Sequence, residues 1–142
     1  MTDLSPALER AVATVGDRWS LLIVAALMDG PQRFGELQEA IPGLAPNVLS
    51  ARLRHLERHG VIVSKPYSKR PLRVSYSLTA RGAELAGAIR LLVAWEAGMG
   101  AASGSSDEVG APLHEVCGTP LEPRWWCNTC GRAADEEEVD VS

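Results

Sequence analysis

Residues 33–60 read "RFGELQEAIPGLAPNVLSARLRHLERHG", and the two apolar patterns inside that stretch decide the fold. Phe34, Leu37 and Ile41 recur at helical spacing, which predicts a short helix over about 34–40. The run from Pro42 to Pro46 breaks it, and Pro46 suits the first turn of the next helix. That helix, "NVLSARLRHLERH", stops at Gly60, a glycine placed to leave the helix in the left-handed conformation. With Leu49 at the origin of the helical wheel, Leu53 and Leu56 fall within about 40° of it at 3.6 residues per turn. This face is core. Asn47, Ser50, Ala51, Arg54 and Arg58 lie opposite, all small, polar or cationic. A short helix, a Pro/Gly turn and an amphipathic helix with such an outer face form a helix-turn-helix.

Working outward, Ser5 and Pro6 open a helix over residues 5–15, and Asp17 caps a second, "RWSLLIVAALM", that stops at Asp29-Gly30-Pro31. After Gly60 the period becomes two. "VIVSK" and "RVSYSL" alternate, with Val74, Tyr76 and Leu78 on one face and Arg73, Ser75 and Ser77 on the other. The stretch between them, "PYSKRPL", reads as a basic loop. Thr79 caps a last helix to about Ala97, striped by Leu85, Ile89, Leu92 and Val93. Residues 1–97 are therefore expected to be mainly α with a small β-hairpin: a winged helix-turn-helix.

The charge of −4 over 142 residues hides a division: +3 through Ala97 and −7 from Gly98 on. The basic part is suited to double-stranded DNA. Residues at the start of a recognition helix meet base edges while others reach phosphates. Asn47 suits adenine and Arg54 suits guanine. The hairpin adds Lys65, Lys69, Arg70 and Arg73, with Tyr67 and Ser68 as further hydrogen-bonders, a set fit to hold phosphates or enter a minor groove. A hairpin standing alone would more simply be a solvated tip; next to a helix-turn-helix, the DNA reading prevails.

The sequence resembles the HxlR family of bacterial transcriptional regulators. The resemblance rests on Gly16-Asp17-Arg18-Trp19 before the apolar helix and on Arg33-Phe34-x-Glu36-Leu37. Leu49-x-x-Arg52-Leu53-x-x-Leu56 and Tyr76-Ser77-Leu78-Thr79 with Gly82 complete it, over about residues 4–97. It implies a homodimer formed by the first and last helices, bound to near-palindromic operator DNA near its own gene or a divergent neighbour, and it adds Arg33 to the DNA-contacting residues. Two positions depart from the family. Many members carry a cysteine just before the opening proline, where this chain has Ser5, so a thiol switch there is excluded. Ala45 stands where Ser or Thr is frequent ahead of Pro46, which removes a helix cap; Asn47 is a candidate to compensate in part.

The remainder divides into a Gly/Ser-rich linker at 98–111, a cysteine segment at 112–132 and an acidic tail at 133–142 expected to lack structure. His114-x-x-Cys117 and Cys127-x-x-Cys130, each followed by glycine, supply four nitrogen and sulfur ligands in two pairs. This is the donor set of a closed, structural zinc site in a small zinc-ribbon-like tail. A Cys127–Cys130 redox pair and three idle thiols are the alternatives; a single disulfide leaves one cysteine over. Arg124 and Arg132 offset the site's net negative charge. Trp125 and Trp126 are expected to cover the site or dock it rather than stack on bases. Bracing the dimer is the simplest purpose for such an appendage, against binding a partner or sensing metal or oxidant. His55 and His59, four residues apart, have no third ligand and read as solvated or phosphate-facing.

No basic leader with an apolar core opens the chain, and "LLIVAALM" is far short of the roughly 20 residues needed to span a bilayer. A cytoplasmic protein without a membrane partner is expected. No nucleophile with a base in context, phosphate loop or carboxylate pair points to an enzyme. Beside the DNA-binding regulator stand two other readings. One is a metal- or redox-responsive sensor governed by the Cys/His tail. The other is a winged-helix interaction module that binds no DNA. An effector of unknown chemistry is compatible with the regulator reading.

Overall fold

The computed structural model describes residues 5–103, 113–121 and 124–139. The chain forms two compact units, one through Ile89 and the other from Arg90.

The first unit opens with α1 (Pro6–Val15) and α2 (Arg18–Ala26). Asp17 caps α2 as expected, its carboxylate accepting from the amides of Trp19 and Ser20 at 3.1 and 3.0 Å. Ser5 takes the cap position of α1, but its side chain makes no capping bond. The helix-turn-helix follows as α3 (Phe34–Ala40) and α4 (Pro46–Arg58), close to the sequence expectation. Ala45 leaves α4 without a side-chain cap. At the other end Gly60 adopts φ +67°, and Val61 N–H returns to Leu56 O at 2.9 Å, satisfying a terminal carbonyl.

The wing is larger than expected. Strands β2 (Ile62–Lys69) and β3 (Leu72–Leu78) run through most of the stretch read as a loop, leaving a two-residue turn at Arg70-Pro71. The prolines misled that reading. Pro66 lies on the edge strand, at a bulge between Pro66 and Ser68, where a missing N–H interrupts little. A third strand, β1 (Gln32–Arg33), joins antiparallel to β3, giving the order β1-β3-β2.

Buried apolar side chains come from every helix up to α4 and from the start of β2, including Ile23, Leu37, Leu49, Leu53, Leu56 and Ile62. Tyr76, Leu78, Leu85 and Ile89 pack on this core from outside. Thr79 caps α5 (Ala80–Ser103) by accepting from Gly82 N–H at 3.1 Å, while donating its hydroxyl to Gly60 O at 2.6 Å. Gly82 is required by packing: a Cβ there would collide with the Val61 carbonyl oxygen. Helix α5 continues through Ser103, six residues into the segment read as linker from 98; the linker's residues 104–111 lie outside the described residues.

In the second unit, β4 (Trp125–Cys127) and β5 (Arg132–Ala134) form a hairpin, and Leu113 and Pro120 make an isolated antiparallel bridge. The acidic end, expected to lack structure, completes β5 and a 3-10 turn at Glu136–Glu138. It is ordered by Glu138, which pairs with the Arg132 guanidinium at 2.6 and 2.8 Å and accepts from Asp135 N–H at 3.1 Å. Residues 140–142 of that tail lie outside the described residues. No helix among the described residues is long and apolar enough to cross a membrane.

Candidate nucleic-acid interface

Helix α4 buries Leu49, Leu53 and Leu56, each at most 2% exposed, so its rotation about its own axis is set first by hydrophobic burial. Three polar anchors on its flanks fix that rotation further. Arg52 Nη1 meets Asp17 Oδ2 at 3.3 Å, tying α4 to the start of α2. His55 Nε2 lies 2.9 Å from Thr14 O at the end of α1. On the other flank Glu57 accepts from Ser64 N–H and Oγ–H of β2 at 3.1 and 2.6 Å. At 100° per residue the first two anchors sit about 60–120° to one side of Leu49 and Glu57 about 80° to the other. The arc between them, away from the core, carries Asn47, Ala51, Arg54 and Arg58, all exposed, with half-buried Ser50 at its margin. The structure thus presents on one open face the set read from the wheel.

Asp17 owes its role to competing effects. Burial raises its carboxyl pKa, but the Ser20 hydroxyl and amide and the Arg52 guanidinium outweigh this and hold it below the ordinary value. Tyr76 is pushed up by burial and by the Glu57 carboxylate, with Arg54 acting in the opposite sense, so its hydroxyl remains a donor at neutral pH.

The wing places Lys65, Lys69, Arg70 and Arg73 at exposed positions. Register sets Lys65 opposite Ser75, Ser68 opposite Arg73 and Lys69 opposite Leu72. Tyr67 projects outward at 45% exposure, and the Arg33 guanidinium stacks 4.5 Å from its ring centroid. That contact joins the head of α3 to the wing, a link sequence reading did not foresee because Arg33 and Tyr67 share no local pattern. The histidine expectation is corrected for His55, which is half-buried against α1 rather than free for phosphate. His59 is exposed, as expected, with Nδ1 2.8 Å from His55 O and ring centroids 4.3 Å apart.

The four residues read as zinc ligands stand as two pairs. His114 Nδ1 lies 3.1 Å from Cys117 Sγ, and Cys130 N–H donates to Cys127 Sγ at 3.4 Å. Among the described residues no three His, Cys, Asp or Glu side chains are gathered as a metal site. Contacts with Thr119 first and His114 second bring the Cys117 thiol down to about 7, and contacts from Cys130 and Thr129 lower that of Cys127. All three cysteines are free thiols. Arg132, expected to offset the charge of a metal site, is instead paired with Glu138.

Comparison with known proteins gives a consistent result. Residues 14–103 match the HxlR-like helix-turn-helix family. The chain is 39% identical over 94 residues to the HTH-type transcriptional regulator YvaP of Bacillus subtilis, covering 66% of this chain and 87% of YvaP. It is 36% identical over 138 residues to the HTH-type transcriptional regulator Rv3095 of Mycobacterium tuberculosis, covering 92% of this chain and 80% of the relative. That alignment therefore extends beyond the winged helix. Among solved structures, the reduced form of the transcriptional regulator YodB from B. subtilis superposes with a TM-score of 0.58 at 35% identity, covering 66% of this chain and 91% of YodB.

Proposed function

The chain belongs to the HxlR-like helix-turn-helix family and is a transcriptional regulator of that type, and from that premise we propose that it binds near-palindromic double-stranded DNA as a homodimer. In this reading α4 enters the major groove with Asn47 and Arg54 toward base edges and Ser50, Ala51 and Arg58 alongside. The wing cations and Arg33 hold the flanking backbone. The observation that carries it is the outward arc of α4, held between Arg52 and His55 on one flank and Glu57 on the other.

Dimerisation is supported by apolar side chains that a monomer leaves in water: Leu8 and Val12 on α1 and Leu92, Val93 and Trp95 on α5, each at least 40% exposed. Titrating labelled DNA from upstream of the gene at several salt concentrations tests the proposal. A specific complex with a steep salt slope and two protomers per site is expected. Salt-independent or absent binding defeats it in favour of a protein-interaction module.

A second reading follows from where the thiols lie. YodB has been solved in reduced, diamide-treated and quinone-bound forms, whereas every cysteine of this chain lies at or beyond residue 117. Control by oxidant or metal would then enter through the C-terminal unit. Its discriminator is Cys127→Ser: unchanged DNA affinity removes the tail from control.

A further inference from the structure

We propose that the C-terminal unit is a zinc ribbon, in which one ion joins two equivalent hairpin tips through His114 and Cys117 from the first and Cys127 and Cys130 from the second. The equivalence is visible in the backbone. In each tip the glycine after the second ligand donates its N–H to the carbonyl of the first ligand: Gly118 to His114 at 2.7 Å and Gly131 to Cys127 at 2.9 Å. Both glycines are left-handed, at φ +69° and +65°, a conformation that a side chain would strain.

Each tip also closes an antiparallel pairing. Leu113 bridges Pro120 around the first, with His114 N–H donating to Thr119 O at 2.9 Å, and Cys127 pairs with Arg132 around the second. Two copies of one turn, each presenting two soft or borderline ligands three residues apart, make the halves of a tetrahedral site. A single redox-active Cys-x-x-Cys accounts for only the second copy.

An independent observation concerns what holds this unit together. Among the described residues, every buried apolar core residue lies between positions 15 and 62. Leu113, Val116, Leu121, Trp125 and Trp126 are between 47% and 86% exposed. Apolar burial therefore contributes little here, and a unit of this size needs a cross-link of another kind. Its three thiols are unbridged. Four ligands bound at about 2.0–2.3 Å draw both tips into one closed site, and the ion supplies the folding energy that burial does not. With no open position, the ion is structural: its chemistry is to bind the two hairpins, not to activate water.

The test measures metal content of the full chain purified without chelator, by elemental analysis and native mass spectrometry. It is repeated for Cys127→Ser, for His114→Ala and for Asn128→Ala, which alters a turn position but no ligand. Circular dichroism reports the helical body in each. One zinc per chain in the wild type and in Asn128→Ala is expected. Loss of either ligand should weaken binding by at least the roughly 100-fold that supporting residues alone can cost. Cobalt substitution should give the thiolate charge-transfer and tetrahedral d–d bands of a site with three sulfur ligands and one nitrogen. Wild-type protein that carries no zinc and refuses added zinc overturns the proposal. So does full zinc retention in both ligand variants, or an octahedral cobalt spectrum. Because the readout is metal and not DNA, its outcome is independent of operator binding.

Discussion

Arg52, in the middle of α4, meets Asp17, the cap of α2, with 3.3 Å between Nη1 and Oδ2. One carboxylate thereby starts one helix and orients another. Both partners are about one-third exposed, so the ion pair itself contributes no more than about 1 kcal/mol. Replacing Asp17 by alanine also removes the cap, for about 1 kcal/mol more. Urea unfolding should show Asp17→Ala less stable than wild type by roughly 1–2 kcal/mol, and Asp17→Asn, which keeps an acceptor, by less.

The same residue sets an acid dependence. Its pKa is lower folded than the ordinary 3.8, so its charge stabilises the native state above that value. This contribution is lost as pH falls through the lower folded pKa. The stability gap between wild type and Asp17→Asn should therefore be full at pH 7 and shrink as pH falls below 3.8. A gap that stays unchanged as pH is taken below 3.8 would show that the charge plays no part.

The two parts of the proposed DNA-binding face should fail differently. Arg54→Ala is expected to weaken operator binding by about 1–3 kcal/mol and to relax preference at one base position. Lys69→Ala with Arg70→Ala should weaken operator and unrelated DNA alike, reducing the salt slope by about 0.9 for each phosphate that the wing no longer neutralises. Anisotropy titrations on both DNAs across a salt series separate these outcomes.

Gly82→Ala forces a methyl group onto the Val61 carbonyl at the start of α5. Overpacking of this kind costs about 1–3 kcal/mol, more than any gain in helix propensity returns. Chemical denaturation should show the loss; a stabilised variant would mean that α5 lifts freely from the body.

Trp95→Glu and Val12→Asp place charge among side chains left exposed on α5 and α1. Light scattering coupled to gel filtration should show each variant shifted toward monomer, with helical content retained and affinity for a palindromic site reduced more than for a half-site.

The helix-turn-helix was legible because its signals are local. Leu49, Leu53 and Leu56 repeat with the helix, and Pro46 and Gly60 mark its ends. What was missed depends on distant partners or on very short elements. His55 finds Thr14 across 41 residues, which no window of sequence reveals. Strand β1 is two residues long and has no period to detect. The wing was underestimated because Pro66 and Pro71 suggest a loop, whereas an edge strand with a bulge tolerates the first and a tight turn takes the second. In the C-terminal unit, the His/Cys pairs and their spacing could be read, but not the matching turns around Gly118 and Gly131.

The division of labour on α4 has an evolutionary consequence. Residues that hold the helix, Leu49, Leu53, Leu56, Arg52, His55 and Glu57, are distinct from those that face outward, Asn47, Ala51, Arg54 and Arg58. Exposed positions of this kind usually change at little energetic expense. With that face as the proposed reader of DNA, descendants of this scaffold can drift to new target sequences by altering outward-facing side chains, without first acquiring compensating mutations elsewhere.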